Sequence, residues 1–208
     1  MRTEPVEKRV FTFIDGQNLY HAVKEAFGYT YPNYDVLLLA EMICRKKGWV
    51  SQKVNFYTGI PNESDDKMWH HFWEGKLADM GKKGVKTVSR SLRYSNERVT
   101  LPDGREITVL AGREKGIDVR IALDVVRMAR HDLFDVALIF SQDQDLSEVA
   151  KEVREISREQ DRWIKVACAF PVSPTVENPR GINGTDWIPI DRKTYELCLD
   201  PLDYRLKK

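Results

Sequence analysis

The sequence predicts an α/β fold in three layers, with a central, mainly parallel sheet flanked by helices and a β-hairpin inserted late in the first half. Three observations carry this. Val10–Ile14 and Val136–Phe140 are short, near-continuously apolar runs, the pattern of strands buried on both faces. Each run ends abruptly in polar and acidic residues, Asp15-Gly16-Gln17-Asn18 and Ser141-Gln142-Asp143-Gln144-Asp145, and then gives way to helical spacing. Between them, residues 91–112 break the rhythm with alternating pairs around the turn Pro102-Asp103-Gly104.

Taken in order, residues 1–8 are polar, contain Pro5 and read as a loose lead-in. The domain is expected to span 9–199, leaving 200–208 as a tail. After the first strand a helix runs to about Phe27, and Pro32 keeps 28–33 a loop. Tyr34–Lys47 has helical spacing at Leu37, Leu38, Met42 and Ile43, with Gly48 as the stop. Trp49–Tyr57 alternates as a strand, Ser64–Met80 is a helix, and Val85 and Val88 mark a third strand. A helix from Lys115 to His131 buries Ile117, Ile121, Val125 and Met128. A helix from Asp143 to Arg158, a strand Trp163–Phe170, a Pro/Gly/Asn loop 171–184, a short strand Trp187–Ile190 and a helical turn from Arg192 complete the chain.

Composition narrows the function classes. Lys plus Arg (33) balance Asp plus Glu (32), so a net charge of +1 supplies no global pull on nucleic acid, and any basic surface is local. Cys44, Cys168 and Cys198 are odd in number and lack a C-x-x-C, which argues against a disulfide framework or zinc ribbon and for a reducing compartment. No apolar run approaches the roughly 18 to 20 residues of a membrane span, and the first residues have no signal-peptide core. A soluble cytoplasmic protein with no membrane partner is the expectation.

The acids carry the chemistry. In an open parallel sheet the carboxyl ends of the strands share one crevice, so Asp15, Asp143 and Asp145 are expected to converge there. Carboxylates so placed repel one another unless a cation neutralises them, which predicts a divalent metal site. Each acid has a plainer reading: Asp15 as a helix N-cap, Asp118 as a first-turn anion favoured by the helix dipole, and Asp145 with Glu148 as a capping box. Asp143 has none of these. Asp124 falls on the covered side of its helix and requires a partner, either backbone near the site or an arginine such as Arg120 or Arg127. Arg90, Arg93, Arg98, Arg105 and Arg113, interleaved with Tyr94, suit a phosphate backbone or an ordinary solvated hairpin. His70 and His71 are adjacent, a poor metal spacing, and favour packing or surface roles. The aromatic Trp69–Trp73 segment is a candidate contact surface for a homo-oligomer.

Three separated stretches in the same order resemble the NYN family of PIN-like nucleases: Phe13-Ile14-Asp15-Gly16-Gln17-Asn18-Leu19, Lys115-Gly116-Ile117-Asp118 with Asp124, and Ser141-Gln142-Asp143-Gln144-Asp145-Leu146. The similarity covers about residues 9–190, apart from the hairpin. It implies a PIN-like sheet, a Mg²⁺ or Mn²⁺ site and cleavage of RNA, here expected to be single-stranded or loosely structured. Carried over, Asp15, Asp118, Asp143 and Asp145 are the metal-binding and catalytic acids, and Asn18 and Ser141 orient them or hold a phosphate. Lys115, with Arg113 and Arg93, would offset charge on the phosphate, and Asp124 would support the cluster from behind. The rival from another class is a silent member that binds RNA or protein without cutting. A haloacid-dehalogenase-like phosphatase requires an Asp where Gln17 stands, and neither a G-x-G-x-x-G nor a P-loop follows the first strand.

Overall fold

The computed structural model describes residues 2–101, 103–113, 116–176 and 179–205, without the side chains of residues 97, 109–111 and 113. In chain order the elements are β1 (Arg9–Asp15), α1 (Gly16–Phe27), α2 (Val36–Lys47), β2 (Val50–Ile60), α3 (Lys67–Lys82) and β3 (Lys86–Ser91). The hairpin β4 (Arg93–Thr100) and β5 (Glu106–Arg113) follows. Then come α4 (Ile117–Arg130), β6 (Val136–Phe140), a single 3₁₀ turn (Gln144–Leu146), α5 (Ser147–Glu159), β7 (Lys165–Pro171), β8 (Asp186–Ile190) and α6 (Arg192–Glu196).

Six strands form one sheet in the order β3-β2-β1-β6-β7-β8, and every neighbouring pair is parallel. The chain lays β2 and β3 on one side of β1, then returns to lay β6, β7 and β8 on the other. The order therefore reverses between β1 and β6, and a crevice opens there at the carboxyl ends of the strands. Alternation along the two central strands supplies both faces. Val10 and Ile14 of β1, with Val136, Leu138 and Phe140 of β6, pack into the core beneath α1, α2 and α3. Phe13, Ala137 and Ile139 pack into the opposite core beneath α4 and α5. Burial on both faces is why these runs read as continuous rather than alternating hydrophobicity.

The sheet and the insertion are as expected from the sequence, with three local differences. Tyr34 does not begin α2: Asp35 accepts the N–H groups of Leu37 and Leu38 and caps the helix, freeing Tyr34 to be buried and to donate its hydroxyl to the Gly16 carbonyl at 3.3 Å. The hairpin is two unbroken eight-residue strands in register from Arg93↔Arg113 to Thr100↔Glu106, forming a sheet of its own. The segment after 199 is fastened down. Lys76, 1 % exposed, donates to Asp200 at 2.8 Å and to the Tyr34 carbonyl at 2.9 Å, and the Tyr204 hydroxyl donates to Asp79 at 3.0 Å. Among the described residues no helix is long and apolar enough to cross a membrane.

Candidate metal and phosphodiester site

Asp15 ends β1 and caps α1, its carboxylate accepting the Asn18 N–H at 3.0 Å. The exit is tight. A Cβ on Gly16 would run into the Phe56 ring and lie 3.0 Å from the Tyr57 carbonyl, so β1 can turn into α1 this close to β2 only with glycine. β1 and β6 pair as far as Ile14↔Phe140, which leaves the next residues, Asp15 and Ser141, level at the mouth of the crevice.

The second exit is built by its own short side chains. Ser141 is buried; its hydroxyl accepts the Asp143 N–H at 3.1 Å and its carbonyl accepts the Cys168 thiol at 3.0 Å. Asp143 in turn accepts the Asp145 N–H at 2.9 Å, which caps the 3₁₀ turn. This capture delays α5 to Ser147, whose N-terminus has no side-chain cap. The capping box of Asp145 with Glu148 therefore does not form, and Asp145 remains exposed at the rim. Asn18 joins the two exits, its Oδ1 accepting the Gln142 N–H at 2.8 Å across 124 residues of chain.

Asp118 lies half-buried in the first turn of α4, after Gly116 in a left-handed conformation at φ 76°. Asp15 lies within the field of Asp143 and Asp118. Burial raises the Asp15 carboxyl to about 6; the charges of Asp143 and Asp118 add to the rise, and the backbone N–H groups of Asn18 and Gln17 only partly oppose it. Among the described residues none of Asp15, Asp118, Asp143 and Asp145 forms an ion pair with Lys, Arg or His.

The donor set tests the expected metal. It is all oxygen and uncompensated, the chemistry that suits a hard divalent cation. Yet among the described residues no group of three or more His, Cys, Asp or Glu stands close enough to hold one ion. Asp15 and Asp143 each commit an oxygen to a backbone N–H. What fits is a hydrated cation touching one or two carboxylates and retaining its waters.

Asp124 is resolved as an anchor. It is 1 % exposed, accepts the Tyr57 hydroxyl at 3.0 Å, receives Arg120 through Nε at 3.1 Å and Nη2 at 2.8 Å, and receives Arg127 at 2.9 Å. Tyr57 is the register partner of Asp15, so Asp124 steadies the strand beside the site rather than its mouth. Arg93 is exposed at the base of the hairpin; the Arg113 side chain and the whole of Lys115 lie outside the described residues. His70 Nδ1 meets the Pro61 carbonyl at 2.9 Å, and both His70 and His71 reach Glu74, at 3.4 and 3.3 Å, local contacts within and at the start of α3.

Sequence reasoning missed the glutamines. Gln144 donates to the carbonyls of Gln142 and Gly181 at 3.1 and 3.0 Å and accepts the Asn183 N–H at 3.1 Å, while Gln142 donates to the Arg180 carbonyl at 2.8 Å. They zip the loop 179–184 against the exit of β6. The only signal was their interleaving with acids in Ser141–Asp145.

The protein-family model described as the NYN domain matches residues 9–160. No curated protein matches the chain. Among solved structures, a Vibrio parahaemolyticus protein of unknown function is similar in fold at 18 % identity and a TM-score of 0.52, over 91 % of this chain and 97 % of that one. Acinetobacter baumannii MurG aligns at 12 % identity and a TM-score of 0.32, over 88 % of this chain and 45 % of that one, too distant to bear on either fold or function. With the family match spanning the exits of β1 and β6 and the start of α4, the chain belongs to the NYN domain family of PIN-like nucleases.

Proposed function

We propose that the protein is a Mg²⁺- or Mn²⁺-dependent ribonuclease that hydrolyses phosphodiester bonds in single-stranded or loosely structured RNA. The observation that carries the reading is the position of Asp15 at the end of β1, buried and within the field of Asp143 and Asp118, with no ion pair to Lys, Arg or His among the described residues. A bound divalent ion supplies relief of that repulsion, polarisation of the scissile phosphate and a more acidic attacking water. The chain's own part is positional. Asp15, with Asp143 or Asp118, would hold the hydrated ion, and Asp145 lies at the exposed rim. Asn18 and Ser141 fix the two exits, and Asp124 steadies the neighbouring strand β2 through Tyr57.

Phosphate approaches from the hairpin side. The ladder sets Arg93 and Arg113 at directly opposite positions, where like charges destabilise a sheet unless an anion joins them. With Lys115, these residues would contact the RNA backbone. Three free, buried thiols support the proposal of a reducing, cytoplasmic setting.

The test is cleavage of an end-labelled unstructured RNA by the purified chain with Mn²⁺, with Mg²⁺ and with EDTA. Cleavage that requires the metal and disappears in Asp143→Asn supports the reading. Binding of RNA without cleavage in either metal identifies a silent module instead.

A further inference from the structure

Beside the acids lies a cavity of about 400 Å³ between α1, the start of α3 and the base of the hairpin. Gln17, Tyr20, Trp69 and Tyr94 line it, with Asp65 and Asp66 on one wall. Metal binding and catalysis use none of these residues. The rings are half-buried and fixed in place rather than packed away. The Tyr20 hydroxyl donates to the Thr30 carbonyl at 3.0 Å, Trp69 stands edge-on to Phe72 at 5.1 Å, and Tyr94 lies over Gly112, where a Cβ would come within 2.8 Å of its ring. Trp69 and Trp73 of that segment thus face this cavity.

Two features decide what the cavity takes. Two of its lining residues, Gln17 and Tyr20, follow the Asp15 cap within about a turn and a half of α1. Its acidic wall repels phosphate and accepts hydrogen bonds. Asp65 is exposed, with oxygens already accepting from Asn62 and Ser64 at 2.9 and 3.3 Å, and Asp66 caps α3 at 3.0 Å; each retains further lone pairs. The Tyr94 phenol is raised by burial and then by Asp65 and Asp66, so both carboxylates bear on the cavity. Aromatic faces stack any base, whereas a carboxylate selects those with an amino donor.

We propose that this cavity is a nucleobase subsite, which stacks a base flanking the scissile phosphate on Tyr20, Trp69 and Tyr94 and prefers the amino-bearing bases adenine, cytosine and guanine over uracil. The base enters while its phosphates stay outside, towards the acids and the hairpin arginines. The inference rests on the ribonuclease reading for its substrate, but base binding is measurable without cleavage.

The experiment uses the full chain in EDTA, with tryptophan fluorescence excited at the red edge and titrated with adenosine, cytidine and uridine. Saturable quenching by adenosine and cytidine is expected, with uridine weaker by about tenfold. Trp69→Leu should remove the signal, and Tyr20→Leu and Tyr94→Leu should each weaken adenosine by about tenfold, the scale of one lost stacking partner. Asp65→Asn should narrow the gap between adenosine and uridine. Absence of saturable quenching, quenching unchanged in both tyrosine variants, or quenching by a proline-rich peptide but by no nucleoside would overturn the subsite. Metal-dependent cleavage by the same preparation without nucleoside binding removes the subsite and leaves the nuclease; nucleoside binding without cleavage does the reverse.

Discussion

Asn18 Oδ1 accepts the backbone N–H of Gln142 at 2.8 Å, so the turn after β1 and the loop after β6 are held as one unit across the point where strand order reverses. Asn18→Ala leaves that partly buried N–H without its acceptor, a loss of about 1–3 kcal/mol. Urea denaturation should show this loss, and RNA cleavage should fall with it as Asp15 and Asp143 drift out of register. Unchanged stability and cleavage would mean that the two exits are positioned independently.

Asp15→Asn and Asp143→Asn should each reduce metal-dependent cleavage at least about a hundredfold, the upper part of what one metal or charge-stabilising group is worth. Asn caps a helix about as well as Asp, so α1 persists in Asp15→Asn. Thermal unfolding without metal should be unchanged or higher, because a repelling charge has been removed. A large drop in melting temperature would assign these acids to the fold rather than to the chemistry.

The raised Asp15 carboxyl ties stability to pH. Its folded value of about 6 lies above the ordinary 3.8, so between those values the folded chain holds a proton that the unfolded chain has released. Stability must fall as pH rises through this window, by about 3 kcal/mol from this group alone. Mn²⁺, which favours the ionised carboxylates, should therefore raise the melting temperature more at pH 7 than at pH 5. Equal metal-induced shifts at the two pH values would refute the linkage.

Gly16→Ala forces a methyl group against the Phe56 ring and the Tyr57 carbonyl. Overpacking of this kind costs about 1–3 kcal/mol. Because the strain falls at the Asp15 cap, cleavage should fall more than stability does, which parallel denaturation and cleavage measurements on the variant would show.

Asp124→Ala strips the Tyr57 hydroxyl of its acceptor and leaves Arg120 and Arg127 without a partner. Both arginines reach solvent, so the loss is expected at about 2 kcal/mol rather than the larger cost of orphaning a fully buried charge. Tyr57→Phe should lose about 1 kcal/mol. A double-mutant loss smaller than the sum of the two single losses would confirm that they report one contact.

The central strands were legible because burial on both faces leaves unbroken apolar runs at Val10–Ile14 and Val136–Phe140, and their acidic ends mark one rim of a parallel sheet. Local chemistry displaced the predicted boundaries. Asp35 caps α2 one residue after Tyr34, and Asp143 intercepts the Asp145 N–H before α5 can begin. The partners of Asn18 and Tyr57 were not legible, since they lie 124 and 67 residues away and the choice is made by tertiary packing. The free oxygens of the acids were hidden for the same reason: residue type indicates charge at the rim, while backbone N–H groups decide which oxygens remain available.

The hairpin forms a ladder of its own, joined to the main sheet at its base through Leu92, whose N–H donates to the Ile60 carbonyl at 2.9 Å. It behaves as a removable fitting: its strands can be lengthened, recharged or exchanged without disturbing a hydrogen bond between the six parallel strands. Descendants of this chain can thus rebuild the surface beside the crevice while inheriting the parallel sheet unaltered.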